Sequence, residues 1–116
     1  MATTASTALA DRPIAPVREG TPPLAGAAAA ALLAELAPGW EIVDGKRLSK
    51  TFKFADFASA LAYVVKVGAM ADQVDHHPDV QLSWGKATIE VWTHTVGGLA
   101  EIDFAFAARA DRLASA

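Results

Sequence analysis

Hydrophobic and polar positions alternate with two different periods along most of this chain. Residues 27–37 are Ala-rich, with Leu32, Leu33 and Leu36 on one side, which predicts a helix stopped by Pro38-Gly39. Two short runs follow, Trp40 to Val43 and Lys46 to Phe54, separated by Asp44-Gly45. Asp-Gly favours the type I′ turn that matches strand twist, so these runs predict a β-hairpin. Leu48, Phe52 and Phe54 share a parity with Lys50, so the alternation is imperfect. From Asp56 to Val74 the period changes to 3.6, with Phe57, Leu61, Val64 or Val65 and Gly68 in one stripe. This helix must end before Pro78, which forces its predecessor out of the helical region.

Val80, Leu82 and Trp84 then alternate with Asp79, Gln81 and Ser83, the mark of a half-buried strand. Gly85-Lys86 turns the chain into a second strand from Ala87 to His94, rich in β-branched and aromatic residues. After Gly97-Gly98, a last helix is predicted from Leu99 to Leu113, with Leu99, Ile102, Phe106, Ala110 and Leu113 on its apolar stripe. Glu101 and Asp103 sit in its first turn, where the helix dipole favours anions. Ala100 stands where a Ser or Thr cap is expected, so this start is weakly capped. The order helix, two strands, helix, two strands, helix predicts an α+β fold: a four-stranded antiparallel sheet with three helices packed on one face (α-β-β-α-β-β-α). Residues 1–23, rich in Ala, Thr and Pro, show no period and are expected to be a flexible N-terminal extension; the globular domain is expected over 24–116.

Composition narrows the function classes. The chain has 116 residues, of which 53% are hydrophobic, so it can bury one core. Ten basic against thirteen acidic residues give a net charge of −3, with no basic field for nucleic acid. The longest apolar run, Leu24 to Ala34, is mostly alanine and too short for a membrane span of roughly 20 residues. No secretory leader is expected, because residues 1–10 carry no Lys or Arg and no strongly apolar stretch follows. There is no cysteine, which removes disulfides, thiolate metal sites and cysteine nucleophiles. A cytoplasmic location is expected.

Chemistry concentrates in three histidines, His76, His77 and His94. The first two share the exit loop of the long helix. The hairpin after Pro78 returns the chain to the same end of the sheet, so His94 is expected close to them. Asp72, Asp75 and Asp103 flank the region. Three readings stay open on residue type alone. The imidazoles can be structural. They can form a zinc site, although the helical i,i+4 pair is absent. Or they can act as acid and base, since imidazole titrates near neutrality. No serine is paired with a histidine as a nucleophile, and there is no Gly-rich phosphate loop.

The spacing of these residues is specific. Asp72, three residues, His76-His77-Pro78, five residues, Trp84, nine residues, His94, eight residues, Asp103 resembles the signature of the pterin-4a-carbinolamine dehydratases. Trp40, Phe52-Lys53-Phe54, Asp56-Phe57, Thr93-His94 and Gly98-Leu99 with Glu101 extend the likeness over about 24–113. The resemblance implies dehydration of a 4a-hydroxytetrahydropterin to the quinonoid dihydropterin, in support of tetrahydropterin recycling, with neither metal nor organic cofactor. It implies His76 and His94 as the acid–base pair, His77 as a group that mainly holds the pterin, and Asp103 as their support. Asp72, Asp75 and Thr93 would bind or orient substrate, and Trp40 is a candidate pocket wall with a plain core role as its alternative. Trp84 is more readily a sheet-packing residue. Ala100 and Ile102 depart from the family pattern without removing a catalytic group. Partners implied are a small-molecule pterin, a second copy of the chain in a homodimer or homotetramer, and a functional link to an aromatic amino-acid hydroxylase. Neither nucleic acid nor membrane is implied. Ala87 to His94 would suit an edge strand that joins sheets across a two-fold axis. The competing function is a non-catalytic binding module of the same fold, like the family members that stabilise dimers of a transcription factor.

Overall fold

The computed structural model describes residues 8–115. Its elements are α1 (Gly26–Leu33), β1 (Glu41–Val43), β2 (Arg47–Lys53), α2 (Phe57–Val74), β3 (Asp79–Ser83), β4 (Lys86–Val91) and α3 (Glu101–Ser115). Short 3-10 turns lie at Leu9–Asp11 and His94–Val96. The strands form one antiparallel sheet in the order β1-β2-β4-β3. The α+β order read from the sequence is therefore the observed one. β4 is paired on both sides, by β2 and by β3. It is a central strand, so it cannot be the edge that extends a sheet into another subunit; the edges are β1 and β3.

The register decides which face is buried. Leu48 pairs with Val91, Phe52 with Ala87, and Val80 with Ile89. Leu48, Val91, Ala87 and Ile89 are fully buried beneath the helices, while Thr51 and Thr88 share a 2.8 Å hydroxyl contact on the opposite, polar face. Lys50 breaks the alternation for a physical reason. It lies on the core face, and its ammonium meets Asp111 of α3 at 2.6 Å and the ring of Phe52 at 4.7 Å. A buried charge needs such a partner.

Asp56 caps α2 by accepting the Ser59 N–H at 2.8 Å. The face of α2 that enters the core is Ala60, Tyr63, Val67, Met70 and Ala71. The stripe expected from the sequence differs: Phe57, Leu61 and Val65 are exposed in the single chain. The helix carries two apolar stripes. Small Ala60 and Ala71 suit a close approach to the sheet, and the Tyr63 hydroxyl finds a buried acceptor in the Ala110 carbonyl at 2.9 Å.

Residues 8–23 do not match the picture of a free extension. Leu9 is 4% exposed and belongs to the core. The Arg109 guanidinium of α3 donates to the carbonyls of Ala10 and Arg12, at 3.1 and 2.8 Å. Asp11 pairs with Arg112, and that guanidinium holds the carboxyl below its ordinary range. The rest of the expected extension, residues 1–7, lies outside the described residues.

Candidate active site

The sequence builds the site at the junction of α2, β4 and α3. Helix α2 ends at Asp75, whose backbone is left-handed at φ 52°. Its N–H and that of His76 both reach the Ala71 carbonyl, which closes the helix and turns His76 inward. Pro78 then leads into β3. At the other end of the hairpin β4 stops at Val91, earlier than expected, and His94 opens a 3-10 turn. Thr93 bonds back to Gly98 through both backbone groups, at 2.8 and 3.4 Å, so the loop 93–98 is a closed hairpin.

Asp103 is the organising group. Its carboxylate is fully buried and accepts three hydrogen bonds. Oδ2 takes the Thr93 hydroxyl at 2.7 Å and the Ala100 N–H at 2.9 Å. Oδ1 meets His76 Nε2 at 2.7 Å. An ionised carboxylate only accepts, so Nε2 is the donor in this contact, and in the neutral imidazole the lone pair then lies on Nδ1. The Ala100 contact also answers the missing cap: Asp103, three residues into α3, reaches back to the N-cap N–H, which is half of a capping box. The rings of Phe106 and His76 meet in a T-shaped contact with centroids 5.9 Å apart. His76 is thus held in position, tautomer and orientation.

His76, His77 and His94 line one cavity of about 290 Å³. Asp75, Thr93, Thr95, Val74 and Ile102 complete it with Ala15, Pro16 and Val17. The convergence expected from the hairpin is therefore present. The three imidazoles are held differently. His94 is exposed, and its ring stands 4.7 Å from that of Trp92 with the two planes tilted by 35°. His77 is half-exposed and shares a 2.9 Å contact with Asp72. Asp72 is 82% exposed and reaches the cavity only through His77.

Two sequence candidates stand elsewhere. Trp40 does not line this cavity: it is buried in the core, where its indole N–H donates to Asp111 at 2.9 Å and its ring meets Phe52 edge-on. The reason is its own polar handle, which Asp111 satisfies between β2 and α3. Trp84 lies beyond β3 in the hairpin turn and is 70% exposed, so it does not pack on the sheet. What sequence reasoning missed is the wall from Ala15 to Val17, which no period marks. Among the described residues, no three His, Asp or Glu side chains form a group that could hold a metal ion. None of the helices among the described residues is long and apolar enough to cross a membrane.

Comparison with known proteins places the chain in a family. Residues 22–113 match the family model described as pterin 4 alpha carbinolamine dehydratase. The chain belongs to that family. A protein of Rubrobacter xylanophilus, provisionally named a pterin-4-alpha-carbinolamine dehydratase, is 46% identical over 105 residues, covering 90% of this chain and 97% of its own. The crystal structure of a transcriptional coactivator/pterin dehydratase from Brucella melitensis superposes with a TM-score of 0.74 at 28% identity. It covers 79% of this chain and 98% of its own. A pterin dehydratase-like protein described as a RuBisCO assembly factor in the alpha-carboxysome superposes with a TM-score of 0.59 at 26% identity, over 67% of this chain and 92% of its own. Both neighbours are described with roles besides the dehydratase one.

Proposed function

We propose that this protein dehydrates a 4a-hydroxytetrahydropterin to the quinonoid dihydropterin, by acid–base catalysis at the three-histidine cavity. The observation that carries the reading is His76, locked by buried Asp103 and lining one cavity with His77 and His94. A carbinolamine holds a hydroxyl and a nitrogen on one carbon. Losing water means protonating the hydroxyl as the carbon–oxygen bond breaks, and removing the nitrogen's proton as the carbon–nitrogen double bond forms. Two positioned imidazoles are sufficient for both transfers, and neither a nucleophile nor a metal is needed. His76 and His94 share these transfers; the lone pair left on His76 Nδ1 makes it the acceptor, and freely solvated His94 the donor. His77 and Asp75 hold the pterin, Asp72 orients His77, and Thr93 acts through Asp103. The cavity sits near the lower end of small-ligand pockets, about 300–1,000 Å³, which suits a bicyclic heterocycle.

The exposed stripe of Phe57, Leu61 and Val65 supports assembly of the chain with further copies through α2. The role would be cytoplasmic, next to an aromatic amino-acid hydroxylase that releases the substrate. A second reading is a non-catalytic binding module, favoured by the two structural neighbours, one described as a transcriptional coactivator and the other as an assembly factor. One experiment separates them. Dehydration of enzymatically generated 4a-hydroxytetrahydropterin is followed by ultraviolet absorbance with wild type, His76→Ala and His94→Ala. The dehydratase reading expects acceleration that falls at least ten-fold in each variant. No acceleration by the wild type overturns it in favour of the binding module.

A further inference from the structure

The wall formed by residues 15–17 lies outside the stretch matched to the family, which starts at residue 22. It is a strap fixed on both sides. Before it, Leu9 is inserted in the core, Arg109 holds the carbonyls of Ala10 and Arg12, and Arg12 reaches Glu101 at 2.8 Å. After it, the Thr95 hydroxyl donates to the Val17 carbonyl at 3.2 Å, and the Leu24 N–H bonds the Leu99 carbonyl at 2.8 Å. Pro13 and Pro16 restrict the backbone between these anchors, which lowers the entropy lost on ordering it. Such anchoring is more than a passing surface contact requires. The strap's only side chains at the cavity are Ala, Pro and Val, so it offers non-directional apolar contact and no proton.

We infer that Ala15–Pro16–Val17 is a substrate-binding wall of the cavity, and that it limits the size of the ring substituent the site accepts. The inference rests on the pterin reading above. In it, the histidines act on the reacting end of the ring system and the strap bears on the rest of the molecule. Contact of that kind is equal in ground state and transition state, so its loss is read in KM more than in kcat.

Truncation is a poor test, because it would also pull Leu9 from the core. The double variant Pro16→Gly/Val17→Gly keeps the anchoring groups while removing the wall's side chains and the stiffness of Pro16, and Val17→Trp, which keeps Pro16, adds bulk to the same wall. Both are compared with wild type on two carbinolamines, one made from tetrahydrobiopterin and one from 6-methyltetrahydropterin. Binding of 7,8-dihydrobiopterin is measured by calorimetry, with circular dichroism as the folding control. The double glycine variant is expected to raise KM and the dihydrobiopterin Kd at least five-fold, with a smaller change in kcat. Val17→Trp is expected to lower kcat/KM for the larger substrate at least ten-fold more than for the methyl one. KM and Kd within two-fold of wild type, or equal losses on both substrates, would overturn the wall. Should wild type bind dihydrobiopterin without turnover, the dehydratase reading fails and the Kd ratio still decides the wall. Should it neither bind nor turn over, both fail.

Discussion

Exchanging Asp103 for asparagine changes one atom and should reverse the site's proton bookkeeping. The Ala100 N–H is a donor only, so the amide oxygen must take the place of Oδ2, where Thr93 can also donate to it. The amide NH₂ is then forced into the place of Oδ1, 2.7 Å from His76 Nε2. Two donors would meet there unless the imidazole moves its hydrogen to Nδ1. A charge-assisted hydrogen bond of about 1.5–3 kcal/mol becomes a neutral one of about 0.5–1.5 kcal/mol, so stability should fall by roughly 1–2 kcal/mol. The functional loss is larger. With the hydrogen on Nδ1, the lone pair needed for proton transfer is no longer where the wild type presents it. A positioned acid or base is worth about 10²–10⁴-fold in rate, so kcat should drop by that factor, or about 3–5 kcal/mol of barrier. Stopped-flow absorbance reads the rate, urea denaturation the stability, and nitrogen-15 NMR of the histidine ring the tautomer. An Asp103→Asn protein with kcat within three-fold of wild type would refute the reasoning, as would an unchanged His76 tautomer.

Four further outcomes are expected. Tyr63, the chain's only tyrosine, is pushed far above its ordinary value by burial and then by nearby Asp111. Because that value is raised on folding, its contribution to stability is whole below about pH 10, the unfolded value, and is lost as pH climbs towards the folded one; absorbance at 295 nm should show tyrosinate only as the fold opens. Asp111→Ala strands Lys50 and the Trp40 indole in a largely buried setting and should cost about 3–5 kcal/mol in urea melts. Leu61→Glu places a charge in the exposed stripe of α2 and should reduce the assembled fraction in analytical ultracentrifugation, with monomer stability little changed. Phe104→Ala empties a fully buried position on α3 and should destabilise by about 3–5 kcal/mol, read by the same denaturation.

Much of the fold could be read in order along the chain because its signals are local. Asp44-Gly45 marks a turn, Asp56 a cap, and Pro78 the end of a helix, each within a few residues of its effect. The meeting of the histidines was legible for the same reason: one tight hairpin separates His77 from His94. Long-range pairing hid the rest. Nothing near Lys50 or Trp40 announces Asp111, more than sixty positions away, yet it draws both into the core. On α2 the period was visible but the phase was not, since a helix with two apolar stripes can bury either. Residues 8–17 lack any period because they are held by backbone carbonyls and the guanidinium of Arg109, which leave no pattern in side-chain hydrophobicity.

The contact between Asp103 and His76 has a consequence for synthesis. As the chain emerges from the ribosome, all three histidines, the sheet and α2 precede Glu101, where α3 begins. A nascent chain halted there has every imidazole, no Asp103 carboxylate to anchor His76 or accept from the Thr93 hydroxyl, and none of the core side chains Phe104, Phe106 and Ala110. Catalytic competence should therefore switch on late in translation, as the final helix docks. The same carboxylate that steadies the imidazole also caps that helix, so helix docking and the positioning of His76 should come in a single event.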